Sequence, residues 1–430
     1  MRIIHTSDWH LGQHFFGKNR AAEHQAFMTW LLEQIALHQV DALIIAGDIF
    51  DTGTPPSYAR TLYNQFIVQM QQSGCQLIIL GGNHDSVSML GESKELLACL
   101  NSLVIPGALS SPEEHVFVIN NRQGLPGAIM CGLPFLRPRE LIQSQVDESA
   151  KDKQLKLGNA IAQYYQASFA QALCLQAQHK EATNENLPII ATGHLTTVGA
   201  STSESVREIY IGSLDAFNAN LFPPADYIAL GHIHRSQKVA KTEHIRYSGS
   251  PLALSFDELT KDNLANKSVF LVQFQAQSPL QVDALHIPMF QPMQFIRGNL
   301  AHIQQQIASF SDSDGDNVSS DSDVSGPLKQ TWLSIEVTEQ DYLSDLQSRI
   351  VDMTQHKAVE VLQLKRARAN RKAAMQISQN ETLSELSVKE VFQRRLMQEQ
   401  FDDQAAKQRI IKKFDQIHQM VELAQQGENQ

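Results

Sequence analysis

The sequence predicts a layered α/β protein, followed by a small α+β domain and a helical segment. Three observations lead there. Through residues 1–275, short aliphatic runs bounded by Gly and polar residues alternate with stretches of helical periodicity. Residues 276–376 mix the two patterns, and residues 377–430 are helical in pattern alone.

In chain order the strand candidates are RII, ALIIA at 42–46, LIIL at 77–80, VFVI at 116–119 and AIMCGL at 128–133. PIIATG at 188–193, YIALG at 227–231, IRYSG at 245–249 and SVFLVQF at 268–274 follow. Helical patterns span Ala22–Leu37, Tyr58–Gln72 and Leu155–Gln178. In the second region, FIRGNLAHIQQQIASF reads as a helix, TWLSIEVTE as a strand, YLSDLQSRIVDMTQ as a helix and AVEVLQLKRAR as a strand. An Asp/Ser-rich stretch at 309–326 interrupts it and reads as a disordered, solvated loop. In the third region Ser387 and Glu390 have capping-box spacing, and Ile410, Phe414, Ile417 and Val421 recur at a heptad-like period. That region is either a helix pair packed on its own protein or a docking element for another chain.

With 430 residues the chain is long enough for two or three domains. No apolar run approaches the roughly 18 residues that cross a bilayer, and MRIIHTSDWH lacks the apolar core of a signal peptide. The expectation is a cytoplasmic protein with no membrane contact. Its cysteines, Cys75, Cys99, Cys131 and Cys174, show no CxxC pairing and read as reduced core residues. The net charge of −11 argues at first against an anionic partner, but the 309–326 stretch holds five aspartates, leaving −6 elsewhere. Charge alone does not choose the partner.

Chemistry collects at strand ends. TSDWHLG carries Asp8 and His10, AGDIFDTG carries Asp48 and Asp51, and GGNHDS carries Asn83, His84 and Asp85. ATGHLT adds His194, and LGHIHRS adds His232 and His234. In open α/β sheets ligands gather outside the carboxyl ends of the strands. Carboxylate, imidazole and amide donors suit borderline divalent ions such as Mn²⁺, Fe²⁺ or Zn²⁺. Two ions about 3.5–4 Å apart need a shared ligand. A carboxylate can bridge where an imidazole cannot, and Asp48 is the natural candidate. Each motif alone is weak, since a Gly-Asp is usually a turn and a lone Gly-His usually a core histidine. All of them together, in this order, are hard to produce by accident.

The ordered set D-x-H, GD-x-x-D, GNHD, GH and GHxH resembles that of the calcineurin-like metallophosphoesterases. HTSDWHLG, AGDIFDTGTPP, GGNHDS, ALGHIH and YSGSPLALSFDE are most similar to the nuclease subunits of bacterial nuclease–ATPase complexes, relatives of the archaeal and eukaryotic double-strand-break nucleases. The resemblance is strong over about residues 1–275, and SVKEVFQRRL extends it toward the C-terminus.

That resemblance implies an α/β/β/α sandwich with an α+β capping domain and two metal ions, by family habit Mn²⁺, sharing Asp48. Asp8, His10 and His234 would complete one site; Asn83, His194 and His232 would complete the other. His84 would face the scissile phosphate, with Asp85 orienting it by a hydrogen bond. The implied activity is 3′→5′ exonuclease action on double-stranded DNA ends and endonuclease action on hairpins and single strands, in repair, recombination and replication. The implied assembly is a homodimer within a heterotetramer, with the C-terminal helices docked on the ATPase. One departure concerns Asp51, where the archaeal and eukaryotic relatives carry histidine. It is either a partner behind a ligand or a turn residue. The basic cluster Lys365, Arg366, Arg368, Arg371 and Lys372 either contacts phosphates or the partner, or is a solvated edge. The competing readings are a small-molecule phosphoesterase on the same site and a scaffold without catalysis.

Overall fold

The ALIIA run is buried on both faces, as happens to a strand lying between two covering layers. Leu43 and Ile45 enter one core while Ala42, Ile44 and Ala46 enter another, the alternation a pleated strand imposes. The other central runs divide likewise: Leu77 and Ile79 against Ile78 and Leu80, and Ile228 and Leu230 against Tyr227 and Ala229.

The computed structural model describes residues 1–142, 149–206, 216–260, 266–275, 278–312, 330–338, 345–367 and 413–414. Met1–Ala367 form one unit and Arg368–Gln430 a second, of which only the helical residues Lys413 and Phe414 are described. The expected helices of 377–430 otherwise lie outside the described residues. So do 313–326 of the Asp/Ser-rich stretch and Arg368, Arg371 and Lys372 of the basic cluster.

The first sheet runs in the order β14 (Gln281–His286), β13 (Ser268–Gln273), β1 (Arg2–Thr6), β4 (Ala42–Ala46), β5 (Gln76–Leu80) and β6 (Ser102–Ile105). Strands β1, β4, β5 and β6 are parallel; β13 joins β1 antiparallel, and β14 joins β13 antiparallel and so runs in the direction of β1. The second sheet runs β11 (Gln237–Lys238), β12 (Ile245–Tyr247), β10 (Tyr227–Gly231), β9 (Ile189–His194), β8 (Pro126–Cys131) and β7 (Val116–Asn120). Helices α1 (Ala21–His38) and α2 (Ser57–Ser73) cover the outer face of the first sheet through Phe27, Leu31, Ile35, Phe66 and Met70. Short helices α3 (Val87–Gly91) and α4 (Lys94–Ala98) add Leu90 and Leu97 to the core on that face. Helix α5 (Pro138–Leu141) packs Leu141 against the core of the second sheet, and α6 (Ala150–Thr183) covers the second sheet through Leu157, Ile161 and Tyr165. Between the sheets, Ile3, Ile44, Ile78, Met130, Ile190 and Ala229 form the shared core. This is the expected α/β/β/α sandwich.

A hairpin of β2 (His14–Phe15) and β3 (Lys18–Asn19) follows β1. A third sheet, β15 (Met293–Gly298), β16 (Thr331–Val337) and β17 (Val359–Arg366), is parallel and covered by α7 (Leu300–Ala308) and α8 (Leu346–Thr354).

Three expectations need correction. FIRGNLAHIQQQIASF is not one helix: its first residues belong to β15, and Asn299 caps α7 by accepting from the His302 amide at 2.9 Å. The first sheet also runs past residue 275 through β14, whose QVDALH is too polar to read as a strand and forms only because β13 offers its edge. Cys75 and Cys131 are buried as expected, but Cys99 and Cys174 are exposed. Among the described residues no helix is long and apolar enough to cross a membrane.

The sheets come into close contact where Gly231 meets β4. A Cβ on Gly231 would lie 1.9 Å from the Ala46 carbonyl oxygen and 2.8 Å from His194 Nδ1. Gly231→Ala should therefore destabilise the protein by about 1–3 kcal/mol, read from its denaturant midpoint; an unchanged midpoint would contradict the close packing.

Candidate metal centre

The loops that leave β1, β4, β5 and β10, and the last residue of β9, carry every candidate site residue. The first two loops are laced together. The Asp8 amide donates to Gly47 O at 2.9 Å, His10 to Asp48 O at 3.1 Å and Leu11 to Ile49 O at 2.9 Å. This lacing holds unusual backbone: Asp8, His10, Asp48 and His232 have φ of 55°, 48°, 52° and 92°. Non-glycine residues adopt such angles in turns and helix caps, and a cluster of four among candidate ligands is held here by this lacing.

Ligand-type atoms converge in three overlapping groups: Asp8, His10 and His234; His10, Asp48 and His84; and Asp48, His194 and His232. Asn83 Oδ1 joins the last, 2.9 Å from His194 Nε2 and 3.2 Å from His232 Nδ1. Asp48 Oδ2 lies 3.2 Å from His194 Nε2 and 3.7 Å from His10 Nε2, a central position for a shared ligand. The residues fit divalent ions on a further ground. His10 Nε2 and His232 Nε2 are buried without a hydrogen-bond partner. A buried polar atom left unpaired is costly, and a cation among Asp8, Asp48 and His234 would satisfy the His10 nitrogen.

Charge is arranged to match. Burial alone would raise the Asp48 carboxyl, but the neighbouring histidines, His194 foremost, hold it well below the usual carboxylate range. Burial pushes His232 down to about 3 and His234 well below its ordinary value, so both are neutral, as a ligand must be. Asp8 is raised to about 6, chiefly by burial and then by Asp48, against the pull of His194.

The tight turn after β5 brings Asn83 and His84 into place. Its glycines are needed for space: a Cβ on Gly82 would lie 2.1 Å from Asp48 Oδ1, and one on Gly81 2.2 Å from Pro106 O. The expected bond from Asp85 to His84 is corrected here. Asp85 is buried and turned beneath the loop, where it accepts from the amides of Gly82 at 2.8 Å, Phe50 at 3.0 Å and Ile49 at 3.2 Å. His84 turns the other way, half-buried, donating from Nδ1 to the Asp51 carbonyl at 2.7 Å while its amide donates to Asp48 Oδ1 at 2.8 Å. Burial and then Asp48 raise the Asp85 carboxyl to about 6.

The sequence reading missed several supports. Ser205 Oγ lies 2.6 Å from His234 Nδ1 and donates to Glu258 Oε1 at 2.6 Å. Lys267 Nζ pairs with Glu258 Oε2 at 2.5 Å and donates to the His234 carbonyl at 2.9 Å. Glu258 closes the YSGSPLALSFDE stretch, so the motif was visible while its task was not. Arg137 braces the GNHD loop by donating to Asp85 O at 2.9 Å. Of the basic cluster, Lys365 lies 3.5 Å from Glu204 Oε2.

Two facing sheets that deliver carboxylates and imidazoles to one rim define a metallophosphoesterase. The description "Calcineurin-like phosphoesterase" matches residues 1–236, and "Type 5 capsule protein repressor C-terminal domain" matches 289–400. The chain is 51% identical over 403 residues to the SbcD subunit of the SbcCD nuclease of Escherichia coli (strain K12), covering 94% of each. It is 32% identical over 309 residues to the SbcD subunit from Rhodobacter capsulatus, covering 69% of this chain and 71% of that one. The Bacillus subtilis SbcD subunit is 30% identical over 262 residues, covering 60% and 63%. The chain belongs to the calcineurin-like phosphoesterase family, in its SbcD branch. It is a metal-dependent hydrolase of phosphodiester bonds.

Loading with metal should move a proton. Burial opposes charge on His194, but Asp48 and then Asp8 outweigh it and raise its pKa to about 9. The charged imidazole thus stabilises the metal-free fold fully below its ordinary value of 6.5, and this contribution is lost as pH rises through about 9. A metal takes only the neutral ring, so loading near pH 7.5 should release about one proton from this residue. Calorimetric Mn²⁺ titrations in buffers of different ionisation enthalpy should give different heats; equal heats would contradict this.

Proposed function

We propose that this chain is a DNA nuclease with two Mn²⁺ ions, the nuclease half of a complex with an SbcC-type ATPase. It acts 3′→5′ on double-stranded ends and cuts hairpins and single strands, serving DNA repair, recombination and replication in the cytoplasm. The observation that carries this reading is the convergence of three overlapping donor groups, two of them sharing Asp48, with the half-buried His84 among them.

Asp8, His10 and His234 would hold one ion, Asn83, His194 and His232 the other, and Asp48 would serve both. When bound, the ions supply Lewis acidity toward the phosphate and make hydroxide available near neutral pH. The protein supplies position. Asp85 holds the loop after β5 against the loop after β4 through the Ile49 and Phe50 amides, and closes its own turn through the Gly82 amide. His84, with Nδ1 committed to a carbonyl, presents Nε2 to the leaving 3′-oxygen and stabilises or protonates it. Residues 276–376 serve as the capping domain, and residues 377–430 dock the chain, as a homodimer within a heterotetramer, onto the ATPase. The relatives' shared name, that of one component of a two-part nuclease, supports that partner.

His84 also lies within ligand range of His10 and Asp48, so its role needs a direct test. His84→Ala should keep both Mn²⁺ ions and lose at least about 100-fold in turnover of linear duplex and hairpin DNA; a missing ion would make His84 a ligand. The wild type should degrade duplex DNA far faster than nitrophenyl phosphates, whereas the reverse order would favour a small-molecule phosphoesterase. Deleting residues 381–430 should abolish SbcC capture and spare metal binding; capture by the truncated chain would remove the docking assignment.

A further inference from the structure

Asp51 touches both parts of the centre through different atoms. Its carboxylate Oδ1 lies 3.1 Å from His10 Nδ1, and its carbonyl accepts from His84 Nδ1 at 2.7 Å. The rings of His10 and His84 meet edge to face at 4.7 Å. The backbone of Asp51 is fixed independently of its side chain. Its amide donates to Leu11 O at 3.1 Å, continuing the ladder in which Leu11 donates to Ile49 O at 2.9 Å. Leu11 and Phe50 form an isolated parallel bridge beside it.

An imidazole that donates from Nδ1 keeps its lone pair on Nε2. For His10 that nitrogen is buried and unpartnered on the side of Asp8, Asp48 and His234. We propose that Asp51 is a positioning residue with two separable tasks: its carboxylate fixes His10 for the ion held with Asp8 and His234, and its carbonyl fixes His84. The inference rests on the two-ion reading above. Because the ladder holds the carbonyl, replacing the side chain removes the first task and leaves the second. The Asp51 side chain is a quarter exposed, which favours tolerance of a smaller residue.

The test measures metal affinity on the full chain by Mn²⁺ calorimetry, with electron paramagnetic resonance counting bound ions. Asp51→Ala should weaken one of the two ions by about 10–100-fold, the usual effect of losing a carboxylate behind a ligating histidine, and leave the other unchanged. Asp51→Asn, which can still accept from Nδ1, should recover part of that loss. A residue serving only the turn would lower the melting temperature of the metal-free protein without changing either affinity, and that result overturns the proposal. Equal weakening of both ions overturns it too. A measurement that needs no variant uses ¹⁵N-histidine-labelled wild-type protein loaded with diamagnetic Zn²⁺. His10 should show the Nδ1–H tautomer, and His84 should carry a proton on Nδ1 whatever the state of its Nε2; an Nε2–H tautomer of His10 refutes the carboxylate's task, and a His84 ring with no proton on Nδ1 refutes the carbonyl's. A wild type that binds only one ion would instead defeat the two-ion reading itself.

Discussion

The centre depends on how closely two sheets approach at their carboxyl ends. His194, the last residue of β9, reaches across to the first sheet and bonds the Ala46 carbonyl at 2.8 Å through Nδ1. Gly231 on β10 leaves the space that makes this reach possible. Without that seam, the histidines of the second sheet and the aspartates of the first would face separate solvents. With it, they share one buried site. His5 ties the sheets a little deeper, with ring nitrogens 2.9 Å from the Tyr227 hydroxyl and 3.2 Å from the Leu230 carbonyl. Burial pushes its pKa down to about 3, so the bridge carries no charge into the core.

The seam also explains why so much polar chemistry is tolerated in so apolar a setting. Buried charges persist only when paired or bound to metal. Asp8 meets this condition by accepting from the His232 amide at 2.9 Å, which again joins the two sheets. Glu258 and Lys267 meet it by pairing with each other behind His234. The strained backbone at Asp8, His10, Asp48 and His232 belongs to the same economy of constraint: local torsion is accepted because the lacing between loops leaves no alternative.

Much of the fold was legible in the sequence because its strands are apolar on both faces and its helices are long. What escaped had a weak local signal. QVDALH in β14 is largely solvent-facing and owes its strand form to a neighbour's free edge. MQFIRG ran into a helical pattern and was separated only by the cap at Asn299. Within the site, the residue types announced themselves through spacing at strand ends. The bonds behind them did not, because Ser205, Glu258, Lys267 and Arg137 are distant in sequence from the residues they support.

The sequence by itself determined the central apolar strands, the order of the donor-bearing loops and the kind of chemistry those donors suit. These follow from local periodicity and from side-chain identity, which need no knowledge of neighbours. Only the tertiary structure decided which carboxylate serves which histidine. Asp85, adjacent to His84, turns beneath its own loop and binds three amides. A carbonyl from Asp51, on another strand's loop, holds the His84 ring instead. Adjacent residues in a tight turn project in different directions, so nearness along the chain is a poor guide to partnership. Hydrogen bonding is settled by distances of about 3 Å between atoms that folding brings together.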